Sequence, residues 1–123
     1  MERRKIILLS NENYNNNRKW GLDYTKKNYT TYIFIDKEDI RAMYNSNKIK
    51  IKDNFVRDLE TFAVKDAILQ GYDVILMSNL NDKRWMYIKK DYDHILDIEI
   101  EIKNDCEKKE NFFTKLLKRI NKR

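Results

Sequence analysis

The sequence predicts an α/β fold: a parallel sheet of about four strands with helices on both faces. Three observations predict it. The runs Ile6–Leu9 and Val74–Met77 are apolar at every position. Such runs suit strands covered on both sides, because alternate side chains point to opposite faces and neither face is left for water. Segments of helical period alternate with the strand candidates in the order βα, βαα, βα, βα, the pattern of a parallel sheet. Finally, 123 residues suffice for one domain with a modest core, and no linker is long enough to divide residues 1–123 into two.

Each element follows from its local pattern. Residues 4–9 (RKIILL) read as the first strand, and residues 11–17 (NENYNNN) as a loop. With two glycines and no proline in the chain, asparagine supplies the turns, since it bonds to its own backbone and tolerates left-handed geometry. Residues 18–27 (RKWGLDYTKK) form a basic, aromatic helix with Trp20 and Tyr24 one turn apart. Residues 30–35 (TTYIFI) are β-branched and aromatic, so they make a second strand. Asp36 reads as an N-cap, with Asp39 three positions on, for a short helix over residues 37–44.

Residues 45–53 form a polar, lysine-rich linker. The longest helix spans residues 54–70, with Phe55, Leu59, Phe62, Ala63, Ala67 and Ile68 expected on its buried side. Gly71 closes it as a C′ residue. Residues 73–77 (DVILM) make the third strand, residues 79–81 a turn, and residues 82–90 a helix with Trp85 and Ile88 on one side. In residues 95–102 the apolar Leu96, Ile98, Ile100 and Ile102 alternate with Asp97, Glu99 and Glu101. That is a strand near a sheet edge with one solvated face. A basic C-terminal helix, residues 107–121, is expected to bury Phe112, Phe113, Leu116, Leu117 and Ile120.

The chain is 41% apolar and 37% charged, with a mean hydropathy of −0.84. No apolar run approaches the roughly 20 residues of a membrane span, and Ile6–Leu9 is too short for a signal-peptide core. A cytoplasmic protein is expected, and the lone Cys106 suits a reducing compartment. No metal or other cofactor is expected, since His94 has no evident partner. The charge is uneven. Residues 1–102 carry 18 basic and 17 acidic side chains, a net of +1, while residues 103–123 carry 8 and 3, a net of +5. The excess lies in the tail, where it would attract phosphate backbones or acidic proteins.

In a parallel sheet, ligands bind beyond the carboxyl ends of the strands. The loops there are residues 10–17, 36–41 and 78–84. Several stretches around them resemble the phage-type polynucleotide 5′-kinases of the P-loop kinase class. KIILLS (residues 5–10) resembles that family's first strand, and Trp20 the tryptophan after its phosphate loop. YIFIDKEDIR (32–41) resembles its second strand and acidic motif, DAILQGYDVILMSNLN (66–81) its long helix and third strand, and FTKLLKRINKR (113–123) the start of its basic lid. Together they cover most of the chain.

The resemblance implies a three-layer P-loop-kinase-like sheet in the order 2-3-1-4. It implies an acceptor side in which Glu38 would take a proton from a 5′-hydroxyl, Arg41 would contact the acceptor, and Arg119 and Arg123 would clamp the transferring phosphate. The donor side departs from the family. Asn17 stands at the phosphate-loop lysine, Arg18 or Lys19 at the Mg²⁺-binding hydroxyl, and Ser78 near the acidic residue after strand three. Asparagines replace the glycines whose bare backbone approaches phosphate. The chain also ends where the family continues.

Losing the lysine, the metal ligand and the glycines removes the charge stabilisation that phosphoryl transfer needs. The glutamate and arginines are thus vestigial candidates, and neither catalysis nor nucleotide binding is expected. An active kinase is the outlying alternative. The leading expectation is a non-catalytic binder of a host or viral protein, acting as an inhibitor in the host cytoplasm. Its adaptable polar and aromatic loop would contribute Tyr14, Asn15, Asn16 and Asn17, with Arg18 and Lys19 beside it, and Asp97, Glu99 and Glu101 could imitate phosphate spacing. The alternative is a binder of nucleic-acid 5′ ends or single strands through Arg41, the lysine-rich residues 48–52, Arg119, Lys122 and Arg123.

Overall fold

A computed structural model describes residues 1–44 and 50–106. Within them four strands, β1 (Glu2–Ser10), β2 (Tyr32–Ile35), β3 (Asp73–Ser78) and β4 (Leu96–Lys103), form one sheet in the order β2-β3-β1-β4. Every pairing is parallel. The expected α/β class, strand number and strand order are all found. The C-terminal helix expected over residues 107–121 lies outside the described residues, as does much of the linker before the long helix.

The register explains the unbroken apolar runs. Ile6 to Ser10 lie opposite Val74 to Ser78 on one side, and Glu2 to Leu9 opposite Leu96 to Lys103 on the other. Alternate residues then serve two separate cores. Ile6, Leu8, Val74, Leu76 and Ile98 pack under α3 (Asp53–Leu69) and α4 (Arg84–Asp91), against Val64, Ile68, Trp85 and Ile88. Ile7, Leu9, Ile75 and Met77 pack under α1 (Tyr14–Lys27), against Tyr14, Trp20, Tyr24 and Phe34. The expected Trp20–Tyr24 contact is a stacked pair with centroids 5.1 Å apart.

Two boundaries behave as the sequence indicates. Asp36 caps α2 (Lys37–Tyr44) by accepting the Glu38 amide at 3.0 Å. Gly71 ends α3 with φ of +103°, the left-handed geometry that favours glycine.

Two expectations are corrected. The loop over residues 11–17 is a single 3-10 turn, Asn11–Asn13, and α1 already begins at Tyr14. Ser10 starts the turn by accepting the Glu12 amide at 3.1 Å. An asparagine-rich string resembles a loop in composition, yet the packing of α1 on the sheet overrides its modest helix propensity. The buried face of α3 is also rotated from the one expected. Val56, Glu60, Val64, Ala67 and Ile68 face inward, while Phe55 and Phe62 are 47% and 67% exposed. Both sets have helical spacing, and only contact with the sheet chooses between them.

At Gly21 α1 lies tight against the sheet. A Cβ built there would sit 2.7 Å from the Phe34 ring and 2.9 Å from Leu9 Cδ1. In an open helix alanine would gain about 1 kcal/mol over glycine. Here overpacking costs about 1–3 kcal/mol, so Gly21→Ala should lose about 1 kcal/mol of stability in urea unfolding. A stabilised variant would contradict this packing.

Candidate functional site at the carboxyl edge of the sheet

The parallel sheet brings the ends of β1, β2 and β3 to one edge, as the strand order requires. The segments that follow them build two polar networks with a cleft beside them.

The first network joins α1 to the start of α2. The Asp36 carboxylate is 2% exposed and sits among donors. Tyr14 Oη donates to Asp36 Oδ2 at 2.6 Å, and the Arg18 guanidinium pairs with the same oxygen. Arg18 also forms a two-pronged pair with Asp39, both bonds 3.0 Å, and lies 5.5 Å from the Phe34 ring centroid. Burial, followed by the bond to Asp36, pushes the Tyr14 hydroxyl up to about 12. Arg18 is held still more firmly protonated by its carboxylates. Tyr14 and Arg18, two expected binding residues, therefore hold the edge together.

Asn17 is fully buried at the end of the first turn of α1. Its Nδ2 donates to the Ser10 and Asn104 carbonyls, both at 2.9 Å, and its Oδ1 accepts the Cys106 amide at 2.9 Å. This carboxamide links the end of β1 to the chain leaving β4. Asn13 adds a bond to the same Asn104 carbonyl at 2.9 Å. Asn17 is thus turned inward, away from any external ligand, whereas Asn15, Asn16 and Lys19 are exposed on α1.

The second network was not legible as a site. Glu60 of α3 is 1% exposed, and Arg84 reaches it with a bond of 2.5 Å. Arg84 also bonds Asp82 at 2.7 Å, Thr61 at 2.9 Å and the Arg57 carbonyl at 3.1 Å. Its guanidinium lies 4.4 Å from the Trp85 ring centroid. Trp85 Nε1 donates to Ser78 Oγ at 3.0 Å, and that hydroxyl donates to the Asn79 carbonyl at 3.1 Å. Burial raises the Glu60 carboxyl above its ordinary value although Arg84 pulls it down. Burial would raise Asp82 as well, but its bonds from Arg84 outweigh this and lower it. The signal was available: Glu60 lies at helical spacing with Val56, Val64 and Ala67, on the inward face.

Beside this network lies a cleft of about 380 Å³, lined by Lys37 of α2, Arg57 and Glu60 of α3, and residues 77–79 and 81–84. It brings two of the three expected loop segments together. Of the acceptor-side candidates, Glu38 and Arg41 pair with each other. Arg41 pairs with Asp53 at 2.8 Å and with Glu38 at 3.6 Å, bridging α2 to the start of α3. Arg119, Lys122 and Arg123 lie outside the described residues. The acidic row on β4 is partly neutralised: Glu101 pairs with Lys5 at 2.8 Å and Lys103 at 3.5 Å, and Asp97 lies 3.8 Å from Arg3.

Among the described residues no group of three or more His, Cys, Asp or Glu side chains could hold a metal, and no helix is long and apolar enough to cross a membrane. No protein-family model matches the chain, and no curated protein matches it in sequence.

Glu60 gives a pH test with a definite sign. Its folded pKa lies above the ordinary 4.5, so the native state binds this proton more tightly than the unfolded chain. The resulting stabilisation is fully present below about 4.5 and is lost as pH rises through the folded value. Glu60→Gln keeps an acceptor for Arg84 but cannot titrate. The stability of the parent relative to this variant, from urea unfolding, should fall from pH 4.5 toward neutrality. A difference that is flat or rises with pH would show that Arg84 outweighs burial.

Proposed function

We propose that this chain is a non-catalytic protein-binding module on a P-loop-kinase-like frame, one that modulates or inhibits a partner enzyme. On this reading it is phage-encoded, and its target is a host enzyme or defence complex. The observation that carries the proposal is an apolar surface running over α2 and α3. Met43, Tyr44, Phe55, Phe62 and Leu69 are each about half to three-quarters exposed. Phe55, Phe62 and Leu69 recur every seven residues, so they share one side of α3, and Tyr44 meets Phe55 edge-on at 5.4 Å, which joins the two helices into one surface. Contiguous exposed aromatic and aliphatic groups of this kind mark protein interfaces.

The carboxyl edge supports the non-catalytic half of the proposal. Phosphoryl transfer needs backbone amides and a cation open to the phosphates. The turn after β1 is three residues long, and Asn17 fills its inner side with a carboxamide committed to internal bonds. The nucleic-acid alternative draws less support, because Arg41 is engaged with Asp53 and Glu38.

The test is affinity purification of the full chain from host lysate with mass spectrometry. A stoichiometric protein partner is expected. The double variant Phe55→Asp, Phe62→Asp should lose it at least tenfold, as interfacial aromatics commonly do. Its melting temperature should fall only modestly, since Phe62 is 67% exposed and Phe55 about half exposed with a single edge-on ring contact to Tyr44. Failure to recover any stoichiometric partner, or full retention by the variant, overturns the proposal.

A further inference from the structure

The cleft beside β3 has a charge arrangement that the protein-binding reading does not use. Four cations, Lys37, Arg57, Lys83 and Arg84, line it against two carboxylates, Glu60 and Asp82. Both carboxylates are taken by Arg84, at 2.5 and 2.7 Å. Arg57 comes no closer than 3.9 Å to Asp82. Lys37 and Lys83 make no ion pair among the described residues. The lining therefore carries two positive charges more than it neutralises, on side chains contributed by α2, α3 and the turn before α4.

We propose that this cleft is an anion site that takes a phosphate group. A phosphomonoester carries about −1.5 to −2 at neutral pH, which matches the excess of two, whereas a single carboxylate would leave one cation unmatched. The wall is built to hold its shape. Arg84 is fixed by Glu60, Asp82 and Thr61 and lies over Trp85, so it forms one wall, while Lys37 and Lys83 are available to an incoming oxygen and Arg57 is held only by a 3.9 Å pair with Asp82. Asn79 and Asn81 add neutral amides at the rim. The position suits a ligand, because it lies beyond the carboxyl end of β3, next to the point where the chain order in the sheet reverses. The phosphate could belong to a small metabolite or to the end of a nucleic-acid strand, since both present the same group.

Nuclear magnetic resonance titration of the full chain tests this. Sodium phosphate, compared with sodium chloride at matched ionic strength, should give saturable shifts at the amides of residues 37–38, 57 and 78–84. Lys37→Ala with Lys83→Ala should weaken the binding about tenfold or more, with the fold intact, because neither lysine holds an ion pair among the described residues. Shifts that do not saturate, or equal affinity in the double variant, overturn the proposal. A second titration names the source: a 5′-phosphorylated oligonucleotide binding well above a nucleoside monophosphate supports a strand end, and equal binding supports a small phosphate. The site does not depend on the α2–α3 surface, so its failure and the failure of the protein-binding proposal are separable.

Discussion

Asn17 sets a carboxamide, fully buried, where the end of β1, the first turns of α1 and the exit of β4 converge. All three of its bonds go to backbone groups, two carbonyls and one amide. Without it the Asn104 carbonyl would keep its bond from Asn13, but the buried bond to the Ser10 carbonyl would be lost, at a cost of about 1–3 kcal/mol for a buried group left unsatisfied. The rest of the edge follows from this contact. It braces the three-residue turn after β1 and the early start of α1. An early start puts Tyr14 and Arg18 within reach of Asp36, which in turn caps α2. The start of α2 then places Lys37 over the cleft.

The two networks at this edge solve the same problem differently. Asp36 is buried but meets a cation, a phenol and a backbone amide, so its lone pairs are filled by charge-assisted bonds. Glu60 meets one guanidinium, and its pKa rises in spite of it. A buried carboxylate held by one partner is expensive relative to an apolar residue of the same size. Its effect here is to hold Arg84 against Trp85, which gives the cleft a fixed wall and leaves Lys37 and Lys83 without an ion pair among the described residues. The desolvation cost of Glu60 therefore lies next to the proposed anion site.

The fold was legible because the strands announce themselves. Ile6–Leu9 and Val74–Met77 admit no solvated face, and the alternation of residues 95–102 admits only one; the sheet pairs them accordingly. The site was legible only in part. The meeting of the three loop segments follows from parallel topology, and the Asp36 cap from local chemistry. The inward turn of Asn17 was not, because nothing within residues 11–17 reveals that Asn104 and Cys106 lie beside them. The side of α3 that faces the sheet was misread for a similar reason. Phe55 and Phe62 are the more hydrophobic residues, and hydrophobicity alone favours burying them over a face that contains Glu60. Only the partner Arg84, 24 residues on, makes that face acceptable.

On the proposed non-catalytic reading, Asn17 closes the space after β1 to a nucleotide's phosphates. Its side-chain amide resonances, followed in the full chain as Mg²⁺ and ATP are added, test this most directly. The Asn17 carboxamide and the backbone amides of residues 10–18 should stay unmoved at millimolar nucleotide, whatever occurs at the cleft lined by Lys37 and Lys83. Saturable shifts centred on Asn17, with loss of its bonds to Ser10 and Asn104, would contradict it.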